Sequence, residues 1–380
     1  MKTRIFPYWF LIFTIGFGWF ILAPLVPVLE NRFNVPLSSI LFIISAYGYS
    51  MAILGLLAGF LSAKFTTRTV LILSSILSFI GLLGRAISTN FAIFFLFSIL
   101  ASLAYPLAVA PVGSIAKSLF EKRANTVVGI SIGILFIGMA TGSFLGPLIY
   151  SLMNLSGVLL LTAILGLIAM VLLIPSTKGF PVHYERSLKG SFNIGMVKNW
   201  YIGLAVASVS VMLGSIASTV LHLHGITTIL AVSMGGFLSG LSFLGSGLGA
   251  ILLPSLFEGY GLRLGLILTG MLTFISALIS VISLSYTTNF AMIALGYFLF
   301  GFFGNAYWSM AMVSTTYYVN DPARAGFATS MYSVVTNIGV SLIPTLVGPL
   351  FDNIYTITFG VIAVVVIELI AGILSFLLKH

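Results

Sequence analysis

The chain has 380 residues, 59% of them apolar, with only 16 Lys+Arg and 7 Asp+Glu. Charged residues make up 6%, against roughly 25% in an ordinary soluble domain, which excludes a water-soluble fold. At roughly 20 apolar residues per spanning helix there is room for about twelve spans and for no sizeable extramembrane domain. The net charge of +9 is scattered over loops in ones to threes, so it reads as membrane topology and not as a nucleic-acid surface. With no cysteine there is no disulfide, thiolate nucleophile or cysteine metal site.

Apolar runs broken by Gly, Pro or charge predict spans at about 7 to 30, 38 to 63, 69 to 87, 91 to 116, 125 to 150 and 156 to 174. Six more follow at about 200 to 222, 227 to 254, 263 to 285, 288 to 316, 325 to 350 and 354 to 378. The first run is expected to remain as span 1, because Glu30-Asn31-Arg32 follows it without a small-residue cleavage site. The long polar segment between the sixth and seventh runs divides the chain into a half at 1–174, a linker at 175–199 and a half at 200–380.

Positive residues near span ends stay cytoplasmic. Lys2, Arg4, Lys64, Arg68, Lys117, Lys122, Arg123, Lys178, Arg186, Lys189, Lys198, Arg263, Arg324 and Lys379 fall on one side, and only Arg32 and Arg85 fall on the other. Both termini and the linker are therefore expected in the cytoplasm of a multi-pass cell-membrane protein.

The halves repeat at an offset of about 200 residues: Arg123-Ala124 answers Arg324-Ala325, and Gly146-Pro147 answers Gly348-Pro349. The loop after span 2 reads Gly59-Phe60-Leu61-Ser62-Ala63-Lys64-Phe65-Thr66-Thr67-Arg68, and the loop after span 8 reads Leu256-Phe257-Glu258-Gly259-Tyr260-Gly261-Leu262-Arg263. Span 5 carries Gly133, Gly142, Gly146 and Pro147. Over its whole length the sequence resembles the major facilitator superfamily, whose members join two parallel six-helix repeats. The resemblance implies an all-α membrane fold of twelve helices that rocks between access states. It also implies an ion-pair latch at Gly59, Lys64 and Arg68, repeated at Glu258, Gly261 and Arg263, although the first copy lacks the family's Asp and second Gly. The span 5 pattern is similar to that of members exchanging solutes for protons. It is expected to bring span 5 close to span 8, which shows Gly235, Ser239, Ser242, Ser246 and Gly249 at helical spacing. Within the family, Trp19, Ala23-Pro24, Arg85 and Asn337 resemble the choline and haem transporter branch known from the feline leukaemia virus subgroup C receptors, with Phe136 where that branch has an amide.

In such folds the site lies near the midplane between the halves. Asn305 and Asn337 are the costliest side chains to leave unpaired in hydrocarbon, and Asn337 belongs to a stripe with Ser330, Ser333 and Ser341. Tyr297, Gly301, Asn305 and Trp308 share one face of span 10, while Ser208, Ser215, Ser218 and His222 share one of span 7. Trp19, Tyr47, Tyr105 and Trp308 sit deep enough to form an aromatic wall, whereas Tyr8, Trp9, Trp200 and Tyr201 are expected at the bilayer interface. No Asp, Glu, Lys or Arg lies near the middle of spans 1, 4, 7 or 10, so the expected solute is neutral, amphipathic or monocationic. Glu368 is an acid deep in an apolar run, and His222 carries an imidazole; both are proton-coupling candidates.

No nucleophile with a base in reach, and no metal-ligand spacing, argues for an enzyme, and no filter sequence argues for a channel. No cofactor is expected. The readings left by sequence are a secondary transporter, possible as a proton antiporter, a facilitative carrier of a choline-like amine, and a non-transporting receptor. The partners expected are a small-molecule substrate, the lipid bilayer and protons, with no nucleic acid and a monomeric chain. Because the chain has no native cysteine, a single cysteine introduced at position 189 reports topology directly. A membrane-impermeant maleimide should label it only after the cytoplasmic face is exposed, and labelling of intact cells would overturn the twelve-span arrangement.

Overall fold

The computed structural model describes residues 5–112, 115, 124–178, 180, 193–257, 260–318 and 322–378. Among these, eleven apolar helical stretches are long enough to cross a bilayer. One of them, 130–176, runs for 47 residues and is two spans, because Asn154 at φ 57°, ψ −176° breaks it. The spans are α1 (Ile5–Phe20, continued after a 3-10 turn Ala23–Leu25 by Val26–Phe33), α2 (Leu37–Phe65), α3 (Thr67–Ala86) and α4 (Phe91–Ser102 with Ala104–Val109). The helix Ala124–Ser176 supplies α5 before Asn154 and α6 after it. The second half has α7 (Met196–Leu223), α8 (Thr228–Phe257), α9 (Leu262–Tyr286), α10 (Phe290–Thr316), α11 (Pro322–Val347) and α12 (Ile357–Phe376).

The internal repeat survives in the helix caps. The Asn90 side chain accepts from the amide of Ile93 at 3.0 Å to start α4, and Asn289 accepts from Met292 at 3.2 Å to start α10. At the entry to α3 Thr66 has φ 103°, and at the entry to α9 Gly261 has φ 96°. The turn therefore keeps its left-handed backbone in the first half, although the residue there is β-branched.

Close backbone approach sets the packing inside each half. A Cβ at Gly142 would stand 2.7 Å from the carbonyl oxygen of Phe17, and one at Gly146 3.0 Å from that of Ile21; Gly138 meets Phe13 in the same way. These glycines thus seat α5 on α1, and not on α8 as the spacing suggested, because their common face is turned into their own half. Gly235 and Ser239 of α8 likewise face α7, where the Ser239 hydroxyl donates to the Gly214 carbonyl at 2.6 Å, and Gly245 and Gly249 lie on the backbone of α10. The seam between α5 and α8 uses other residues: Gly236 sits against Ser143 and Pro147, and Gly240 against the Phe144 ring. On the other side of the molecule α2 meets α11, with Gly48 against Val340 and Gly348 against Leu41.

Along the α5–α8 seam the last ring contact toward the linker is Phe136 on Phe243, with centroids 6.3 Å apart. One turn further, Gly133 and Gly247 have no described atom within 4 Å of a built Cβ. Among the described residues the close contacts of this seam therefore lie on the side away from the linker. Three of the aromatics expected at the interface tie helices together: Tyr8 donates to the Ala108 carbonyl at 3.1 Å, Trp9 to the Ser131 hydroxyl at 2.9 Å and Tyr201 to the Ile367 carbonyl at 3.3 Å.

A threonine at φ 103° occupies a region that costs about 1–3 kcal/mol for a residue with a Cβ. Glycine at an N-cap loses only a few tenths of a kcal/mol relative to threonine. Thr66→Gly should therefore raise stability by about 1 kcal/mol, read as a higher midpoint of thermal unfolding in detergent.

Candidate functional site

Trp19 lies two residues before the helical turn at Ile21 where α1 gives way to its 3-10 segment, and α5 holds that stretch against the protein interior. Its indole N–H donates to the Ile44 carbonyl of α2 at 2.7 Å. That bond fixes the ring flat on Tyr47, with centroids 4.7 Å apart and planes 8° from parallel. Tyr105 of α4 closes a second side, tilted 55° at 5.4 Å from Trp19. All three rings are buried. Asn337 of α11 comes to this cluster from the other half: its amide N–H donates to the Ser333 carbonyl at 2.8 Å, and its side chain stands beside that of Tyr105. Sequence reasoning named all four residues, and the structure brings them together.

Phe20, Phe243 and Arg85 were not among the proposed site residues. Phe20 packs edge-on against Phe243 of α8 with centroids 4.4 Å apart, and Phe136 stacks on the same ring. A continuous aromatic path thus runs from Tyr47 through Trp19 to α8. The third is Arg85, which sequence counted among the positive charges at span ends and in the branch resemblance. The structure buries it to 1% exposure, because side chains lean toward a helix's N-terminus and so carry this one back into the bundle from the end of α3. Its Nε donates to the Ser98 hydroxyl and one Nη1 to the Gly18 carbonyl, both at 2.9 Å. The guanidinium carbon stands 5.8 Å from the centroid of the Tyr47 ring, and Nη2 has no hydrogen-bond partner.

The remaining candidates lie elsewhere. Tyr297 on α10 is buried and donates to the Leu213 carbonyl of α7 at 2.8 Å, a tie within the second half. Asn305 is buried, while Trp308 meets Tyr332 edge-on at 5.4 Å with its indole N–H unpartnered. Ser208 and Ser215 bond to carbonyls of their own helix. Glu368 is 1% exposed at the middle of α12, and neither carboxylate oxygen has a hydrogen-bond partner. The hydroxyls of Tyr201 and Tyr307 are bonded to the carbonyls on either side of it, at Ile367 and Ala371. His222 is exposed at the end of α7 with Nδ1 2.9 Å from the Ile226 carbonyl, so it serves the helix terminus and is not brought to the buried groups. In the loop motifs Arg68 and Arg263 are exposed at the starts of α3 and α9. The Lys64 side chain, Glu258, Arg123, Lys189 and the Arg324 and Ser330 side chains lie outside the described residues, while Gly59 is part of the α2 backbone.

The family model of the major facilitator superfamily matches residues 8–189, the first six spans and the start of the linker. The whole chain then superposes on solved transporters of that architecture. A bacterial homolog of the human lysosomal transporter Spinster, in an inward-facing and occupied conformation, matches with a TM-score of 0.77 at 14% identity over 99% of this chain and 96% of its own. The first half of the chain thus matches the major facilitator superfamily by sequence, and the whole chain has that superfamily's fold. A point mutant of the nucleoside transporter NupG matches this chain equally well, at 0.77 and 16% identity over 100% of both chains. The unoccupied inward-facing form of the Spinster homolog matches at 0.72. No curated protein matches by sequence. The superfamily carries transporters, so the chain is a multi-pass membrane protein of transporter fold and not an enzyme.

If the Trp19 cluster is the binding surface, losing the ring face removes about 0.5–2 kcal/mol of contact and losing the Asn337 amide roughly 1 kcal/mol. Trp19→Ala and Asn337→Ala should each weaken substrate binding by about two- to thirty-fold while the protein still elutes as a folded species. Calorimetry on the two variants checks this, and wild-type affinity in both would move the site to Asn305 and Trp308.

Proposed function

We propose that this chain is a secondary active transporter moving a small amphipathic organic solute by alternating access. The observation that carries the reading is the origin of the Trp19, Tyr47, Tyr105 and Asn337 cluster. Its rings come from α1, α2 and α4 of one half and its amide from α11 of the other. A site divided in this way is remade whenever the halves rock, which is what alternating access requires. Stacked rings and one amide suit a flat or apolar body with a single hydrogen-bonding group. The cation of Arg85 beside Tyr47 disfavours a choline-like amine at this place. The open space beside Gly133 and Gly247 on the linker side of α5 and α8 supports a cytoplasm-facing state, given a cytoplasmic linker. The protein acts as a monomer in the cell membrane.

We further assign proton exchange to Glu368. An ionised acid at the middle of a spanning helix costs roughly 2.5–3.5 kcal/mol on insertion scales, and here it turns into the second half toward Tyr201 and Tyr307 without a cationic partner. In proteoliposomes, a solute found by thermal shift should be driven uphill by a pH gradient. Glu368→Gln should abolish that driven flux and leave downhill exchange intact, since the amide mimics only the protonated carboxyl. Unchanged driven flux would make Glu368 a packing residue, and binding without any flux would favour a receptor.

A further inference from the structure

We propose that Arg85 is the anchor for a carboxylate, so that the solute taken by the aromatic cluster is an organic monoanion. The proposal rests on the reading of that cluster as the substrate site. A guanidinium cannot shed its charge and carries five N–H donors. Ser98 and Gly18 each take one, through Nε and Nη1, and the two hydrogens of Nη2 have no acceptor although the residue is 1% exposed. Neither acceptor is charged. The sequence from 31 to 120, which holds α2, α3 and α4, contains no acid at all, and neither does 122 to 184. The one acid of α1 is Glu30, twelve residues past Gly18 and beyond the 3-10 turn.

An unpaired cation in this position is costly, and a well-placed counter-charge repays much of that cost. Among the described residues no acid pairs with it, so the site is complete only when a ligand brings a counter-charge. The cation stands over the face of Tyr47, which is itself stacked on Trp19. A carboxylate on Nη2 would therefore place its organic body against the rings. One uncompensated positive charge matches one negative charge, which favours a monoanion over a phosphate dianion. The same field repels an ammonium group.

The test uses the purified full chain in detergent, with benzoate, phenyl phosphate, benzamide and benzylamine as probes and the unfolding midpoint as readout. Benzoate should stabilise the wild type at concentrations at least ten-fold lower than benzamide, with phenyl phosphate weaker than benzoate and benzylamine without effect. Arg85→Gln should erase the difference between benzoate and benzamide. Arg85→Lys, which keeps the charge but not the fork of donors, should retain the preference at reduced strength, and it serves as the second variant if Arg85→Gln does not fold. Equal stabilisation by benzylamine and benzoate in the wild type, or a preference for benzoate that survives in Arg85→Gln, overturns the anchor. Trp19→Ala separates the two readings. If it abolishes benzoate binding while Arg85→Gln does not, the aromatic site stands and the anchor falls; if only Arg85→Gln abolishes it, the anion binds away from the rings and the aromatic site falls.

Discussion

The arrangement of this molecule depends on the backbone contact between α1 and α5. In a bilayer the lipid tails are as apolar as leucine, so burial alone does not choose which helices become neighbours. Gly138, Gly142 and Gly146 recur every four residues and admit the carbonyls of Phe13, Phe17 and Ile21, one turn at a time. The bond from Trp9 to Ser131 fixes the register of the pair near the linker side. With α1 held over three turns, Trp19 and Phe20 have one direction left to point, and that direction is the seam between the halves. The second half repeats the device with different partners, where Gly245, Gly249 and Gly301 bring α8 onto α10.

Among the described residues, each half also buries one group that ordinarily carries charge. Arg85 in the first half and Glu368 in the second are both 1% exposed, and both keep polar atoms without a partner. They do not neutralise each other, since they stand in different halves on α3 and α12. A bundle needing only to be stable has no use for either, because an apolar side chain of similar volume is commonly as good or better at such a position.

Most of the fold was legible from hydropathy, because the bilayer obliges every span to satisfy its own backbone and therefore to be helical. The corner at Asn154 was legible too, as a polar break between two apolar runs. What the sequence withheld was rotation. The glycines of α5 are spaced as a close-packing motif, but spacing does not say whether their face meets α1 or α8, and here it meets α1. Arg85 shows the same limit in another form: a long basic side chain near a helix end reaches either the headgroups or the interior, and only Ser98 and the Gly18 carbonyl decide which. Trp19 and Asn337 could be named because tryptophan and asparagine are scarce and expensive in mid-membrane. Phe20 and Phe243 could not be picked out from 32 phenylalanines. The turn at Thr66 was hidden because its residue type argues against the conformation it adopts.

Gly133 and Gly247 stand on the linker side of α5 and α8, on the part of the seam that must travel if the halves rock. A hinge line surfaced with hydrogen atoms has no rotamers to freeze on closure and no greasy side chains to wet on opening. Its two positions therefore differ little in side-chain entropy and in exposed apolar area. The choice between them is left to whatever sits in the middle of the molecule, which is the condition under which a weakly bound solute can throw the switch.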